Sequence, residues 1–243
     1  MTSPATLFRS TVLFSLVAAV LAACGGGGED LGGEPISTEI ASLQQASAEA
    51  MAGVETVRFD LTPDGGPIFI DSVQSLSLEA ASGRYAAPSS ADAVLTVSVN
   101  GSLTTKLGAV AIGPEVWLSN PVTGEFELLP TGIDIDPTTF FDPEDGWRPL
   151  LLELQDATFV AEESRNGTRY RVRGVAPAAR VEIVTAGLVK DQDVEVDLWL
   201  HPVSALVTAA EFSTVHDGAT TDWVLELSEY GAAVDIEAPE VSG

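Results

Sequence analysis

The stretch Leu95-Thr96-Val97-Ser98-Val99-Asn100-Gly101 decides the fold class. Its apolar side chains alternate with polar ones, which is the period of a strand that buries one face. It ends in Asn-Gly, the pair that best tolerates the positive φ angles of a two-residue hairpin turn. The sequence therefore predicts that the chain reverses at residue 100 and returns as an antiparallel strand through Leu107 to Ile112.

Similar strand patterns, separated by Gly, Pro, Asn and Asp turns, lie on both sides of this hairpin. The clearest turns are Pro63–Gly66, Asn120–Gly124 and a second Asn-Gly pair at residues 166–167. The strand-like segments are residues 57–61, 73–78, 116–118, 126–128, 157–162, 170–174, 194–200, 206–212 and 222–228. Roughly ten short strands in sequence favour a meander of neighbouring antiparallel strands.

Helices are expected in three places. From Ser37 to Gly53 the apolar residues follow three-and-four spacing, with Ser37 as the expected N-cap and Gly53 near the end. Short helices are expected within residues 133–154 and over Pro177–Ala186. Residues 133–154 are a candidate lid or floor, and residues 140–154 within them carry more apolar side chains than a surface loop does. The predicted class is α+β, a curved antiparallel sheet with helices on one side.

The N-terminus indicates export and lipid anchoring. Residues 1–23 carry one charge, Arg9, before an apolar run from Val12 to Leu21 that is too short to span a bilayer, which is typical of a signal peptide. Leu21-Ala22-Ala23-Cys24 resembles a bacterial lipobox, in which the cysteine is acylated. The alternative is a signal peptide followed by an incidental cysteine. Residues 24–36 then predict a flexible tether, and residues 37–243 a single domain.

Charge limits the partners. The net charge is −25, and removal of Arg9 with the signal peptide makes the mature chain one unit more negative. Lys106 and Lys190 are its only lysines. Nucleic acid is therefore an implausible partner, and anionic headgroups would repel the protein. An acyl anchor, and not a basic patch, is expected to hold it at a membrane.

Catalytic and metal signatures are weak. His201 precedes a turn proline and His216 lies in His-Asp-Gly, so both are interpreted as exposed turn residues. A Gly-x-Ser-x-Gly motif is absent from the sequence. The acidic segment Asp142–Gly146 lacks the ligand spacing of a calcium loop. We expect no enzyme activity, no metal and no cofactor.

Several short motifs, in this order, are similar to those of one family. They are Gly101-Ser102, Glu115-Val116-Trp117, Phe141-Asp142-Pro143, Phe159-Val160-Ala161-Glu162, Asn166-Gly167-Thr168-Arg169-Tyr170, Val196-Asp197-Leu198-Trp199-Leu200 and Leu225-Glu226-Leu227-Ser228-Glu229-Tyr230-Gly231. Together with the lipobox and first helix, they resemble the LprG/LppX family of actinobacterial envelope lipoproteins. The likeness covers most of the mature chain and is poorest over Pro63–Pro88.

The resemblance implies a half-barrel sheet wrapped round helices, related in shape to the LolA and LolB lipoprotein carriers. Between sheet and helices, the family has an apolar cavity for acyl chains of lipids such as acylated glycolipids or triacylglycerols. It implies a non-enzymatic carrier, anchored on the outer face of the cytoplasmic membrane, that moves lipid toward outer envelope layers. An integral-membrane exporter of the major facilitator type is an implied partner.

The expected lipid-facing side chains are the inward residues of the central strands and of the apolar middle segment. They are Leu95, Val97, Val99, Leu107, Val116, Leu118, Phe140, Phe141, Trp147, Leu150, Leu151 and Leu154. Plain core packing is the alternative for each of them, because alternation shows that a side chain faces inward and not whether lipid or protein lies opposite. The alternative function is a tethered, non-enzymatic scaffold with a filled interior that presents its acidic face to a partner. An open apolar cavity favours the carrier, and bulky side chains filling the concavity favour the scaffold.

Overall fold

Eleven antiparallel strands form one sheet in the computed structural model, which describes residues 33–71, 73–129, 141–142, 144–185 and 187–240. The strands are β1 Thr56–Gly65, β2 Leu76–Ala86, β3 Ser90–Val99, β4 Leu103–Ile112, β5 Glu115–Ser119, β6 Phe126–Leu128, β7 Gln155–Ser164, β8 Thr168–Ala176, β9 Val194–Leu200, β10 Val207–His216 and β11 Ala219–Ser228. The helices are α1 Ile40–Ala52, α2 Trp147–Glu153 and α3 Ala178–Val184. The predicted signal peptide, Cys24, most of the tether and Phe140 lie outside the described residues.

Two meanders share this sheet. The spatial order is β6-β5-β4-β3-β2-β1-β11-β10-β9-β8-β7, so β1–β6 form one meander and β7–β11 the other. They join where β1 pairs with β11, which sets Phe59 opposite Leu227 and Leu61 opposite Leu225. The outer strands β6 and β7 do not pair, and the curved sheet stays open. The predicted α+β half-barrel is therefore confirmed.

Both predicted Asn-Gly hairpins are confirmed. Asn100 and Gly101 have φ angles of 49° and 66°, and Asn166 and Gly167 have 50° and 99°. These positive values are the ones that a two-residue turn between antiparallel strands requires. A third turn of this kind, at residues 217–218, joins β10 to β11, and both strands extend closer to it than the sequence pattern predicted.

Helix α1 begins later than predicted. Its N-cap is Glu39 and not Ser37, because the Glu39 carboxylate accepts hydrogen bonds from the backbone N–H groups of Ser42 (3.0 Å) and Ala41 (3.4 Å). Gly53 is the C-cap, as expected. On α1, Gln44 Nε2 donates to the carbonyl oxygens of Leu151 (3.0 Å) and Leu154 (3.1 Å) and so ties α1 to the end of α2.

The convex face of β8 and β9 carries an ion-pair ladder. Arg171 and Arg173 each donate two hydrogen bonds to Asp197, at 2.7 and 3.0 Å, and only 15% of that side chain is exposed. The Arg165 and Arg171 guanidinium groups lie 4.3 and 5.3 Å from the ring centroid of Trp199. Two arginines on β8 therefore compensate the burial of Asp197.

This ion-pair ladder makes the free energy of unfolding depend on pH in the acid range. Burial raises the pKa of Asp197, but hydrogen bonds from Arg171 and Arg173 outweigh it and lower the pKa to about 2. A carboxyl whose pKa is lowered by folding stabilises the fold above its unfolded pKa of about 4 and loses that contribution as the pH falls toward about 2. We expect Asp197→Asn to lower the free energy of unfolding by about 1–2 kcal/mol at pH 7, after allowance for solvent screening.

Urea unfolding at pH 7 and at low pH measures this effect. The variant should lose less stability than the wild type as the pH falls through the acid window, because it lacks the titrating carboxylate. Glu195→Gln is the matched control, since Glu195 is 70% exposed and lies 3.9 Å from Arg173. Its expected change is within about 0.5 kcal/mol. Parallel pH profiles for wild type and Asp197→Asn would contradict the assignment.

Candidate ligand-binding cavity

An apolar cavity of about 580 Å³ lies between the concave face of the sheet and the helices. This volume falls within the range of about 300–1,000 Å³ that is usual for small-molecule sites. Its lining draws on both meanders, on α2, on α3 and on the segment that follows α3. The residues from the second meander and the helices are Trp147, Leu150, Ala176, Val181, Val184, Thr185, Leu188, Val194, Val196, Leu198, Ala210, Phe212, Trp223, Leu225 and Leu227.

Small side chains leave this space open beneath the first meander. On the concave face, Ala93 of β3 lies opposite Gly83 of β2 and Ala109 of β4, while Ala91 lies opposite Ala111. All four alanines line the cavity. A methyl group reaches far less deeply toward the helices than a leucine or tryptophan side chain does. The row of small residues therefore forms the wall of the cavity on the sheet side.

Unlike the alanines of β3 and β4, many concave side chains of the second meander are large. Its concave face joins the helices in one buried cluster that includes Leu43 and Met51 of α1, Leu151 of α2, Leu198 of β9 and Trp223 of β11. Trp223 is 1% exposed and its Nε1 donates to Thr214 Oγ1 at 2.8 Å. The second meander and the helices thus share a packed core, and the cavity adjoins it, bordered by Leu198 and Trp223 as well as by the alanines of β3 and β4.

Aromatic rings shape the cavity wall without offering it polar atoms. Phe141 stacks on Tyr85 with a centroid separation of 4.7 Å, and the Tyr85 hydroxyl donates to the carbonyl oxygen of Pro88 at 3.3 Å. Phe212 stacks on Trp223 at 5.7 Å. Because the polar groups of these rings bond within the protein, the wall presents carbon to a ligand.

The few polar residues of the lining are also engaged by the protein. The Asp71 carboxylate accepts from the backbone N–H groups of Ser75 and Leu76, each at 2.9 Å, and from the Ser75 hydroxyl at 2.6 Å. Burial raises the pKa of Asp71, but these hydrogen bonds outweigh it and lower the pKa overall. Asp92 pairs with Arg84, and Thr185 Oγ1 donates to the Val181 carbonyl at 2.7 Å. The chemistry available to a ligand is therefore mainly apolar contact.

The structure divides the predicted lipid-facing residues. Those that line the cavity are Leu95, Val116, Leu118, Phe141, Trp147 and Leu150. Those that are buried in the protein and do not line it are Val97, Leu107, Leu151 and Leu154. Val99 is half-buried at the end of β3 and does not line it either, and Phe140 lies outside the described residues.

Position along each element explains this division. Val97 shares the concave face of β3 with Leu95 but lies two residues nearer the strand end, and it is 0% exposed although it does not border the cavity. In α2, consecutive side chains diverge by about 100°. Leu150 therefore borders the cavity while Leu151 packs in the core cluster.

Sequence reasoning missed most of the lining. It did not assign Phe59 and Leu61 of β1, the concave residues of β9–β11 or the α3 segment. The pairing of β1 with β11 is what places the concave residues of β9–β11 beside those of the first meander. One signal was available in the sequence. Alanine occupies every second position at 91, 93, 109 and 111, which predicts an inward face without bulk.

Both histidines lie next to turns. His201 is half-buried, and its Nδ1 accepts from the backbone N–H groups of Val203 and Ser204, each at 3.2 Å, so it caps its own turn. His216 is exposed, 3.4 Å from Asp217. Within the described ranges, no group of three or more His, Cys, Asp or Glu residues could hold a metal ion.

No helix in the same ranges is long and apolar enough to cross a membrane.

The fold is similar to two solved lipoprotein structures. LprF from Mycobacterium bovis superposes with a TM-score of 0.62 and 18% sequence identity, over 85% of this chain and 99% of that one. LppX from Mycobacterium tuberculosis superposes with a TM-score of 0.58 and 15% identity, over 82% and 98%. Among curated protein sequences, none matches this chain.

A family model assigns the chain more specifically than these distant structural matches. The model of the LppX_LprAFG lipoprotein matches residues 39–236, from the N-cap of α1 to beyond β11. This range contains the entire sheet and the whole described cavity lining. The chain therefore belongs to the LppX_LprAFG lipoprotein family.

Proposed function

We propose that this lipoprotein holds the acyl chains of an envelope lipid or glycolipid in its cavity and carries them from the cytoplasmic membrane toward outer envelope layers. The observation that carries the proposal is the open hollow of about 580 Å³ whose few polar side chains are already bonded. Acylated Cys24 holds the protein on the outer face of the cytoplasmic membrane. A major-facilitator-type exporter is its proposed membrane partner, and no catalytic step is required.

The energetics of lipid tails support this role. Each methylene moved out of hydrocarbon into water costs about 0.8 kcal/mol, so a sixteen-carbon tail costs on the order of 12 kcal/mol. A carrier must offset most of that cost. Apolar cavities without free hydrogen-bonding groups stay dry and accept apolar ligands. The alanine-lined hollow therefore suits a hydrocarbon chain better than water.

The scaffold alternative requires a filled interior. The concave positions of β3 and β4 carry alanines at 91, 93, 109 and 111, and these border open space. Large side chains at these positions would have closed the hollow. This observation favours the carrier over the scaffold.

Native mass spectrometry of the anchor-free protein tests the proposal. The chain from residue 24 with Cys24→Ser keeps the whole described core, which extends from Leu43 to Leu227. Secreted from an actinobacterial host, it should carry acyl-lipid adducts that organic extraction removes. Protein that emerges from this host lipid-free, and that takes up no fatty-acyl probe in vitro, would contradict the carrier function.

A further inference from the structure

Exposed aliphatic side chains gather at one end of the sheet. Among the described residues, the four most exposed large hydrophobic side chains are Val122 (90%), Val73 (78%), Leu103 (64%) and Val215 (56%). Strand directions place the connections β1–β2, β3–β4, β5–β6 and β10–β11 at the same end, and each carries one of these residues in it or beside it. We call Val73, Leu103, Val122 and Val215 the apolar rim.

The cavity lining continues to this end of the sheet. Ile70 and Leu76 line the cavity, and the Ile70 N–H donates to the Leu76 carbonyl at 3.0 Å across the connection that carries Val73. Leu76 lies opposite Val99, which in turn lies opposite Leu103. Apolar residues therefore run from the inside of the hollow to Leu103, and Val73 lies in the connection that Ile70 and Leu76 close.

The centre of this end is uncharged although the protein is strongly acidic. Residues 72–78 and 93–105, which include Val73 and Leu103, contain no charged residue in a chain of net charge −25. The first charge after them on β4 is the cation Lys106. Asp71 lies close by, but Ser75 and Leu76 hold its carboxylate. The segments that carry Val73 and Leu103 therefore meet less repulsion from an anionic lipid surface than the acidic connections β5–β6 and β10–β11, with Glu125 and Asp217, would.

The composition favours lipid over a protein partner. Hot spots of protein interfaces are enriched in Trp, Tyr and Arg and poor in Leu and Val, whereas the apolar rim is entirely Leu and Val.

The segment between Cys24 and the domain is long enough for the apolar rim to reach the membrane that holds the anchor. The chain enters the fold at the other end of the sheet, where the Ile36 N–H donates to the Pro202 carbonyl at 2.7 Å. Residues 24–35 can span at most about 40 Å, more than a ten-residue strand of about 33 Å.

We propose that the apolar rim docks on a lipid bilayer surface, with Val73 and Leu103 buried among the lipids, and so brings the adjoining end of the cavity against the membrane. Cargo can then move between bilayer and cavity without crossing water. This inference relies on the proposed function for its purpose, but docking itself does not require bound cargo.

Vesicle flotation of the Cys24→Ser chain tests the docking surface. The probes are vesicles of phosphatidylcholine alone and with added phosphatidylglycerol. Val73→Ser combined with Leu103→Ser should lower the vesicle partition coefficient at least about tenfold, because both side chains lose their apolar contact. Val94→Ser combined with Val160→Ser is the matched control, since these valines are 44% and 45% exposed away from the rim. The control should partition like the parent.

Two further readouts separate the possible failures. Native mass spectrometry should show the same lipid occupancy in rim and control variants. Vesicle binding that the rim changes do not alter, or a parent chain that does not bind vesicles, would overturn the docking inference. A dimer that only the rim changes dissociate would overturn it in favour of a second copy of the chain. Rim-dependent docking by a protein that never carries lipid would sustain this inference and contradict the proposed function.

Discussion

Ala109→Phe is expected to abolish lipid occupancy while leaving the protein folded. Ala109 lies on the concave face of β4, opposite Ala93 and Leu118, and borders the cavity. A phenyl ring at this position would project into the volume where an acyl chain is proposed to lie. Because that volume contains no protein atoms, the ring should meet less of the cost of about 1–3 kcal/mol that overpacking a filled core incurs.

Native mass spectrometry of the Cys24→Ser chain measures the loss, which we expect to be at least about tenfold in the bound fraction. Thermal unfolding of the lipid-free protein checks that the variant is folded. Val94→Phe is the matched control, because Val94 is on the convex face of the neighbouring strand β3 and is 44% exposed. Full lipid occupancy in Ala109→Phe, with the control unchanged, would place the cargo elsewhere.

Cys24→Ser in the full-length chain is expected to move the protein from the membrane to the soluble fraction. Each acyl methylene contributes about 0.8 kcal/mol of membrane affinity, so two or three chains give a durable anchor and their loss removes nearly all of it. The net charge of −25 gives no electrostatic attraction to anionic lipid in compensation. Fractionation of cells and detection of the mature chain in each fraction measure this redistribution.

A tether change is the control for the anchor. Gly32→Ser leaves the lipobox intact and should stay in the membrane fraction. Weak docking through the apolar rim should be removed by washing the membranes. Cys24→Ser protein that resists such washing would contradict acylation of Cys24 as the anchor.

The local fold was predictable because its signals are local. Alternation over residues 95–99 and the Asn-Gly pairs at 100–101 and 166–167 predicted strands and hairpins that the structure contains. A turn at His216-Asp217-Gly218 was expected, but the strands beside it were predicted to end at residue 212 and to begin at residue 222, short of their true ends at His216 and Ala219. The helix start was misplaced from Glu39 to Ser37, because serine is the commoner cap and a glutamate carboxylate performs the same role here.

The candidate site was only partly predictable. Leu95, Val97 and Leu107 face the same side of the sheet, yet only Leu95 borders the cavity. Their alternation is the same, so the pattern could not distinguish them. The contribution of β9, β10 and β11 depends on the pairing of residues 58–65 with residues 221–228, and no local rule predicts a contact across that separation in sequence.

The sequence by itself determined the strand and helix pattern, the hairpin turns, the inward side of each strand and the expected acylation of Cys24. Each of these depends on neighbouring residues only. The tertiary structure alone decided that a space remains inside. An inward-facing side chain reveals its direction but not what lies opposite. Volume is left over here because the alanines on β3 and β4 do not reach across to the side chains of α2, α3 and the second meander that border the same space.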